Sequence, residues 1–212
     1  MIDYLRDPAE IYRRSFAAIR AESDLSGLPA DIAPVALRLI HASATPEIIG
    51  DLVFSKGAGQ AGRAALEAGA AVLCDCAMVA AGIVRARLPR ENAVICTLDA
   101  PQVPALAAAQ RTTRSAAAVT LWRSHLAGAV VAIGNAPTAL FRLIEEIAAG
   151  APRPALILGF PVGFIGAAEA KQALTDGPHG VPFIALRGRR GGSALAAAAV
   201  NALAGNRENE AA

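Results

Sequence analysis

The sequence predicts an α/β protein: a doubly wound, mostly parallel sheet with helices on both faces and a helical segment ahead of it. Three observations carry that prediction. Five short aliphatic runs recur along the chain, separated by Ala-rich stretches long enough for helices. The runs are apolar at consecutive rather than alternate positions, which marks strands covered on both faces. Of the 212 residues, 54% are hydrophobic, 18% are charged and 52 are alanine, a composition suited to close-packed aliphatic layers and readily formed helices. That length implies one domain spanning 1–212.

The elements follow in order. Asp7-Pro8 places a cap residue before a proline suited to a first helical turn, and Ile11, Phe16 and Ile19 recur near helical spacing. A Ser-Gly-Leu-Pro turn at 26–29 leads to a second helix from about Ala30 toward Ile40. Strands are expected at Ala71–Cys74, Ala93–Thr97, Gly128–Ile133, Ala155–Phe160 and Phe183–Leu186. Helices are expected near Ala77–Arg85, Thr113–Ser124, Pro137–Ala149, Ala167–Leu174 and Ser193–Ala204. The charged tail from Gly205 reads as a frayed end. Ligands of such folds lie outside the carboxyl ends of the strands, which directs attention to the loops after Asp75, Thr97, Gly134 and Gly159.

Composition also excludes function classes. A net charge of +2 without a basic stripe argues against nucleic acid as partner. The N-terminus carries charges throughout, unlike a signal peptide, and no run reaches the roughly 18 apolar residues of a membrane span. A cytoplasmic protein is expected, with surplus apolar surface covered in an oligomer. Cys74, Cys76 and Cys96 lack zinc-site spacing and read as buried hydrophobes in a reducing compartment, so no metal is expected.

Several constellations bear on chemistry. Gly57-Ala58-Gly59-Gln60-Ala61-Gly62 is a literal G-x-G-x-x-G after Leu52-Val53-Phe54, with Asp75 18 residues beyond Gly57. It reads either as a dinucleotide fingerprint or as a plain turn before a helix; the short lead segment, interrupted by Gly50-Asp51, favours the turn. Of three histidines, His125 ends a helical stretch and His179 sits in a turn, where dipole contact or solvation explains them. His41 lies between the apolar stretch Val35–Ile40 and a run of small residues, either as a capping histidine or as one that trades a proton near neutral pH. Arg38 is three residues earlier, on roughly the same helix face. Arg114, and Arg187, Arg189 and Arg190 before Gly191-Gly192-Ser193, are surface charges or, together, partners for carboxylates or phosphates. Asp75 and Asp99 end strands and are acids or caps. No nucleophile elbow, zinc-protease motif or Walker loop is present.

The segments RLIHAS at 38–43, AGRAAL at 61–66, LCD at 73–75 with MVAAGI at 78–83, TRSA at 113–116, GNAPT at 134–138, GFPVGF at 159–164 and GRRGGS at 188–193 occur in this order. Together, from Tyr12 to about Leu203, they resemble the precorrin-8X methylmutases of cobalamin biosynthesis. The resemblance implies an α/β homodimer that shifts a methyl group from ring carbon 11 to ring carbon 12 of the corrinoid precorrin-8X, giving hydrogenobyrinic acid without a redox cofactor or metal. It implies His41 as the catalytic proton donor and acceptor, and Ser15, Arg38 and Arg114 as substrate-binding residues. It leaves open whether the natural substrate is metal-free or already holds cobalt. The chemistry is compatible: a flat apolar disc fringed with carboxylates needs small side chains beneath it and arginines around it. Two other classes are weighed beside it, a non-catalytic tetrapyrrole carrier and an NAD(P)-dependent oxidoreductase built on Gly57–Gly62.

Overall fold

The computed structural model describes residues 2–177 and 180–205. The expectations for His179 and for the tail beyond Gly205 lie outside them. The chain enters through two helices, α1 (Pro8–Glu22) and α2 (Ala33–Ser43), before the sheet begins. Asp7 caps α1 through its side chain, which accepts from the Ala9 N–H at 3.0 Å. α2 starts at Ala33 rather than Ala30, with Pro34 in its first turn, and ends where Ala44 turns left-handed at φ 50°.

The sheet has six strands in the order β1-β6-β5-β4-β2-β3, with β1 (Leu52–Phe54), β2 (Val72–Cys74), β3 (Val94–Cys96), β4 (Val130–Ile133), β5 (Leu156–Gly159) and β6 (Phe183–Leu186). All neighbours run parallel except β1, which pairs antiparallel with β6 at one edge, Leu52 opposite Leu186. The five expected runs are thus strands, and the short Leu52–Phe54 segment supplies the sixth.

Consecutive residues of each strand enter opposite cores. Val130 and Ala132 pack into one layer with α3 (Ala58–Glu67), α4 (Ala77–Gly82) and α9 (Ser193–Leu203); Val131 and Ile133 pack into the other with α7 (Pro137–Ala148) and α8 (Ala167–Asp176). Both faces of the sheet are covered, which explains why the strands read as continuous apolar text. α9 is apolar nearly all round, with Leu195, Ala196, Ala197, Ala199, Val200, Ala202 and Leu203 all buried. Such a helix must be covered on both sides. The sheet covers one side and α2 the other, so α2 forms an extra outer layer.

Three elements depart from the sequence reading. The helix expected over Ala77–Arg85 stops at Gly82, and a single 3₁₀ turn follows at Arg85–Arg87. The side chain of Asn201 on α9 ends it, accepting from the Val84 N–H at 2.9 Å and donating to the Gly82 carbonyl at 3.0 Å. An unforeseen helix, α5 (Val103–Ala109), starts among two prolines; Pro104 falls in its first turn, where no N–H is needed. It packs with α6 (Arg114–Val119), the first half of the expected Thr113–Ser124 helix, whose remainder is a 3₁₀ turn at Thr120–Trp122.

The loop carrying Arg187, Arg189 and Arg190 is tied down from below. Lys171 on α8 is 1% exposed and its Nζ donates to the Arg190 carbonyl at 2.6 Å. Burial pulls the amine down to about 8, against the smaller opposing effect of Asp51. The unfolded chain binds this proton more tightly than the folded one between pH 8 and 10.5, so this group makes stability rise with pH across that window. Lys171→Met is therefore expected to flatten the profile there, by at most about 1.4 kcal/mol per pH unit. Urea denaturation of both proteins at pH 7.5, 9 and 10.5 measures it.

Candidate active site

Helical spacing assembles one face of α1. Tyr12, Ser15, Phe16 and Ile19 stand at i, i+3, i+4 and i+7 and turn together onto α2. Phe16, the one fully buried residue of α1, anchors it. Facing it on the last turns of α2 are Arg38 and His41. The Ser15 hydroxyl lies 3.0 Å from His41 Nδ1, the Phe16 ring stacks on the imidazole at 4.9 Å and 19°, and Tyr12 meets its edge at 5.7 Å.

His41 opens onto a cavity of about 380 Å³. Tyr12, Arg38 and Ala42 form one side, Gly82, Val84 and Arg87 another, and Ala194, Ala197, Ala198 and Asn201 of α9 the floor. The floor is made of small residues because α4 and α9 approach closely: a methyl group on Gly82 would stand 2.7 Å from Ala197 Cβ. The Asn201 clamp sets where α4 ends and so where Val84 and Arg87 stand.

The electrostatics are one-sided. Among the described residues the lining holds two guanidinium groups, Arg38 and Arg87, and no carboxylate. Arg38 stacks 5.5 Å over both the Tyr12 and Phe16 rings, and its Nη2 and the Tyr12 hydroxyl are buried with no hydrogen-bond partner. Partial burial of the imidazole, followed by the charges of Arg38 and Arg87, holds His41 below its ordinary value of 6.5. The site is thus a neutral histidine beside unpaired positive charge, suited to an anionic guest. A second cavity of about 280 Å³ lies beyond Arg38, lined by Phe16, Arg20, Leu37 and Arg63 among others, and holds no group able to move a proton near neutral pH.

The structure brings together three of the four residues singled out, Ser15, Arg38 and His41. Arg114 is not on this lining; it stands exposed at the start of α6, with its Nη2 3.1 Å from Asp99 Oδ1 and 3.2 Å from the Leu98 carbonyl. Of the four loops at the strand ends, only the stretch after Asp75 leads to the cavity, through Gly82, Val84 and Arg87. Asp75 itself is buried and accepts three backbone N–H groups, from Gly134, Asn135 and Ala136, at 2.8–2.9 Å. It pins the loop after β4. Tyr12, Phe16, Arg87 and Asn201 escape the sequence reading of the site; the α1 periodicity exposes the first two, whereas the others become visible only when α4 and α9 meet.

No group of three or more histidine, cysteine or acidic residues suited to a metal occurs among the described residues. Cys74 is buried, and burial pushes its thiol up, as it does that of Cys96. The glycine motif also resolves. Gly57 takes the left-handed turn at φ +73° before α3, and a Cβ on Gly59 would stand 2.1 Å from the Asp31 carbonyl oxygen. The Asp31 carboxylate accepts from the Gln60 N–H at 3.1 Å, so the place of a pyrophosphate is taken by the chain itself. The strand leading into the motif is the antiparallel edge strand, unlike the parallel one of a dinucleotide fold.

The family model for precorrin-8X methylmutase matches residues 10–206. The chain belongs to that family. The precorrin-8X methylmutase of Pseudomonas aeruginosa is 63% identical over 208 residues, covering 98% of this chain and 100% of its own; that of a Sinorhizobium species is 58% identical over 202 residues, covering 95% and 96%. The cobalt-precorrin-8 methylmutase of Priestia megaterium is 36% identical over 197 residues, 92% of this chain and 87% of its own. A crystal structure of the Thermus thermophilus precorrin-8X methylmutase superposes with a TM-score of 0.83 at 44% identity, covering 92% of this chain and 94% of that one. Membership makes the chain an enzyme, an isomerase of the methylmutase kind in cobalamin biosynthesis. No helix among the described residues is long and apolar enough to cross a membrane.

As a precorrin-8X methylmutase family member with a filled glycine turn, the protein is expected to show no thermal shift with millimolar NAD or NADP. Gly59→Ala is expected to lower its melting temperature by several degrees, since backbone rather than a flexible side chain must move. Differential scanning fluorimetry reads both.

Proposed function

We propose that the protein shifts the C11 methyl group of precorrin-8X to C12, yielding hydrogenobyrinic acid, with His41 giving a proton to the macrocycle and recovering it. The observation that carries this reading is the Ser15–His41 pair at the mouth of a cavity floored by alanines and flanked by Arg38. A disc-shaped substrate lies flat on small side chains, while its carboxylates need cations around the edge. Arg38 lines that cavity and has no carboxylate partner there, which suits its guanidinium to such an oxygen. Arg114 enters the reading on the family resemblance alone, its side chain being engaged with Asp99.

An intramolecular methyl shift needs neither nucleophile nor electron carrier. A proton on the conjugated ring draws electron density toward the migration terminus and lowers the barrier, and a positioned general acid contributes typically 10²–10⁴-fold. Ser15 suits both halves of the cycle, because its hydroxyl donates to the Nδ1 of neutral imidazole and accepts from the Nδ1–H of imidazolium. Nδ1 is thereby fixed, and Nε2 is the nitrogen left for the substrate.

The metal-free substrate is favoured by the full-length relatives, 63% and 58% identical for two precorrin-8X enzymes against 36% and 37% for two cobalt-precorrin-8 enzymes. The reading takes the chain as a single-domain cytoplasmic homodimer. Phe164 and Ile165, 84% and 90% exposed in the loop after β5, support a second copy as cover for that loop.

The test follows conversion by the visible spectrum. His41→Ala is expected to lose conversion of metal-free precorrin-8X by two orders of magnitude or more while still binding hydrogenobyrinic acid, and Ser15→Ala to lose about tenfold in kcat. Turnover retained in His41→Ala refutes the assignment; tight binding without spectral change in the unaltered protein points to a carrier.

A further inference from the structure

Arg87 has no role in the chemistry outlined above, yet its position is specific. It sits on the 3₁₀ turn held in place by the Asn201 clamp, lines the same cavity as His41, and forms no ion pair or side-chain hydrogen bond among the described residues. Every element around His41 gives the same sign of charge or none. α1 offers Tyr12 and Ser15, α2 offers Arg38, the turn after α4 offers Arg87, and α9 offers only Asn201 and alanines. The opposing influence is the carboxyl end of α2, in whose last turn His41 lies; it is weak, typically about 0.3–1 kcal/mol at a surface.

We propose that Arg87 is a substrate-docking residue and that, with Arg38, it makes protonation of His41 conditional on arrival of a polycarboxylate guest. In the empty site partial burial of the imidazole, and then the two uncompensated guanidinium charges of Arg38 and Arg87, disfavour the imidazolium. A carboxylate of the substrate set against Arg87, and another against Arg38, cancels that repulsion. His41 then takes one proton from solvent onto the ring. With the Ser15 hydroxyl donating to Nδ1, the neutral ring carries its hydrogen on Nε2; the incoming proton goes to Nδ1, and Ser15 turns round to accept it. The Nε2 proton is now acidic enough to pass to the macrocycle, and it returns to Nε2 when the methyl group has moved. No proton is gained or lost over the chemical step, and the one taken up on binding returns from Nδ1 to solvent when the product departs.

The coupling discriminates by charge. A macrocycle whose side chains are amidated fits the same disc-shaped space but leaves the guanidinium groups uncompensated and the imidazole neutral.

This inference rests on the corrinoid reading above, and its test separates the two. Hydrogenobyrinic acid is titrated into the protein calorimetrically at pH 7 in two buffers of different ionisation enthalpy, and the His41 imidazole is followed by NMR in free and bound protein. Expected are uptake of half to one proton per site and a His41 midpoint that moves from below 6.5 to at least one pH unit higher on binding. Arg87→Gln is expected to raise the midpoint in the free protein, to weaken binding at least tenfold, and to cut proton uptake by half or more. His41→Asn is expected to bind with no uptake. Binding with equal heats in both buffers overturns the inference and leaves the corrinoid reading standing, as does persistent uptake in His41→Asn. An unchanged free-state midpoint in Arg87→Gln, measured without ligand, also overturns it. Failure of the macrocycle to bind removes the corrinoid reading and the inference with it.

Discussion

A helix with no polar face determines the outer architecture of this protein. α9 is apolar around almost its whole circumference, so the sheet that covers one side leaves the other in need of a second layer. α2 supplies it, which places Arg38 and His41 along the rim of α9. The same helix presents Ala194, Ala197 and Ala198 outward, and these small residues leave room beneath His41. The packing that stabilises the fold therefore also builds the cavity floor and sets the catalytic candidate above it.

What the cavity can do follows from imbalance rather than from complete pairing. Buried or half-buried cations in folded proteins are ordinarily matched by carboxylates. Here Arg38 has an unpartnered buried nitrogen, Arg87 has no acidic neighbour on the lining, and the histidine between them is held neutral. Elsewhere, Asp75 accepts three backbone N–H groups and Lys171 donates to a carbonyl, while Arg142 on α7 keeps a buried Nε without a partner although it pairs with Glu145 and Glu146. Of the four buried side-chain atoms left without a partner among the described residues, two, Arg38 Nη2 and the Tyr12 hydroxyl, lie at the candidate site.

Much of this architecture is legible in the order of the amino acids alone. Strands sealed on both faces write themselves as uninterrupted aliphatic text, so β2 to β6 are located within about two residues. His41 stands out because it follows an apolar stretch and opens a run of small residues, and Ser15 and Arg38 come with the family resemblance. Two of the misses share a cause. The end of α4 is decided by Asn201, more than a hundred residues away, and no local signal at Ile83–Val84 reports it. Arg87 depends on that same contact. The glycine motif misleads in the other direction: its spacing suits a phosphate turn, but Gly59 is small because the Asp31 backbone needs the space, and only the fold tells these reasons apart.

The thin attachment of α1 bears on how the chain would age and be inspected in a cell. Its one buried side chain, Phe16, is worth roughly 1.5–3 kcal/mol, and half-buried Tyr12, Ser15 and Ile19 add to it on the same face, against a typical whole-domain stability of about 5–15 kcal/mol. Peeling of this single helix therefore precedes global unfolding and strips the serine from the imidazole while the sheet stays intact. A protease sampling the native population meets that helix first, and a nick there would part Ser15 from His41 without touching the sheet.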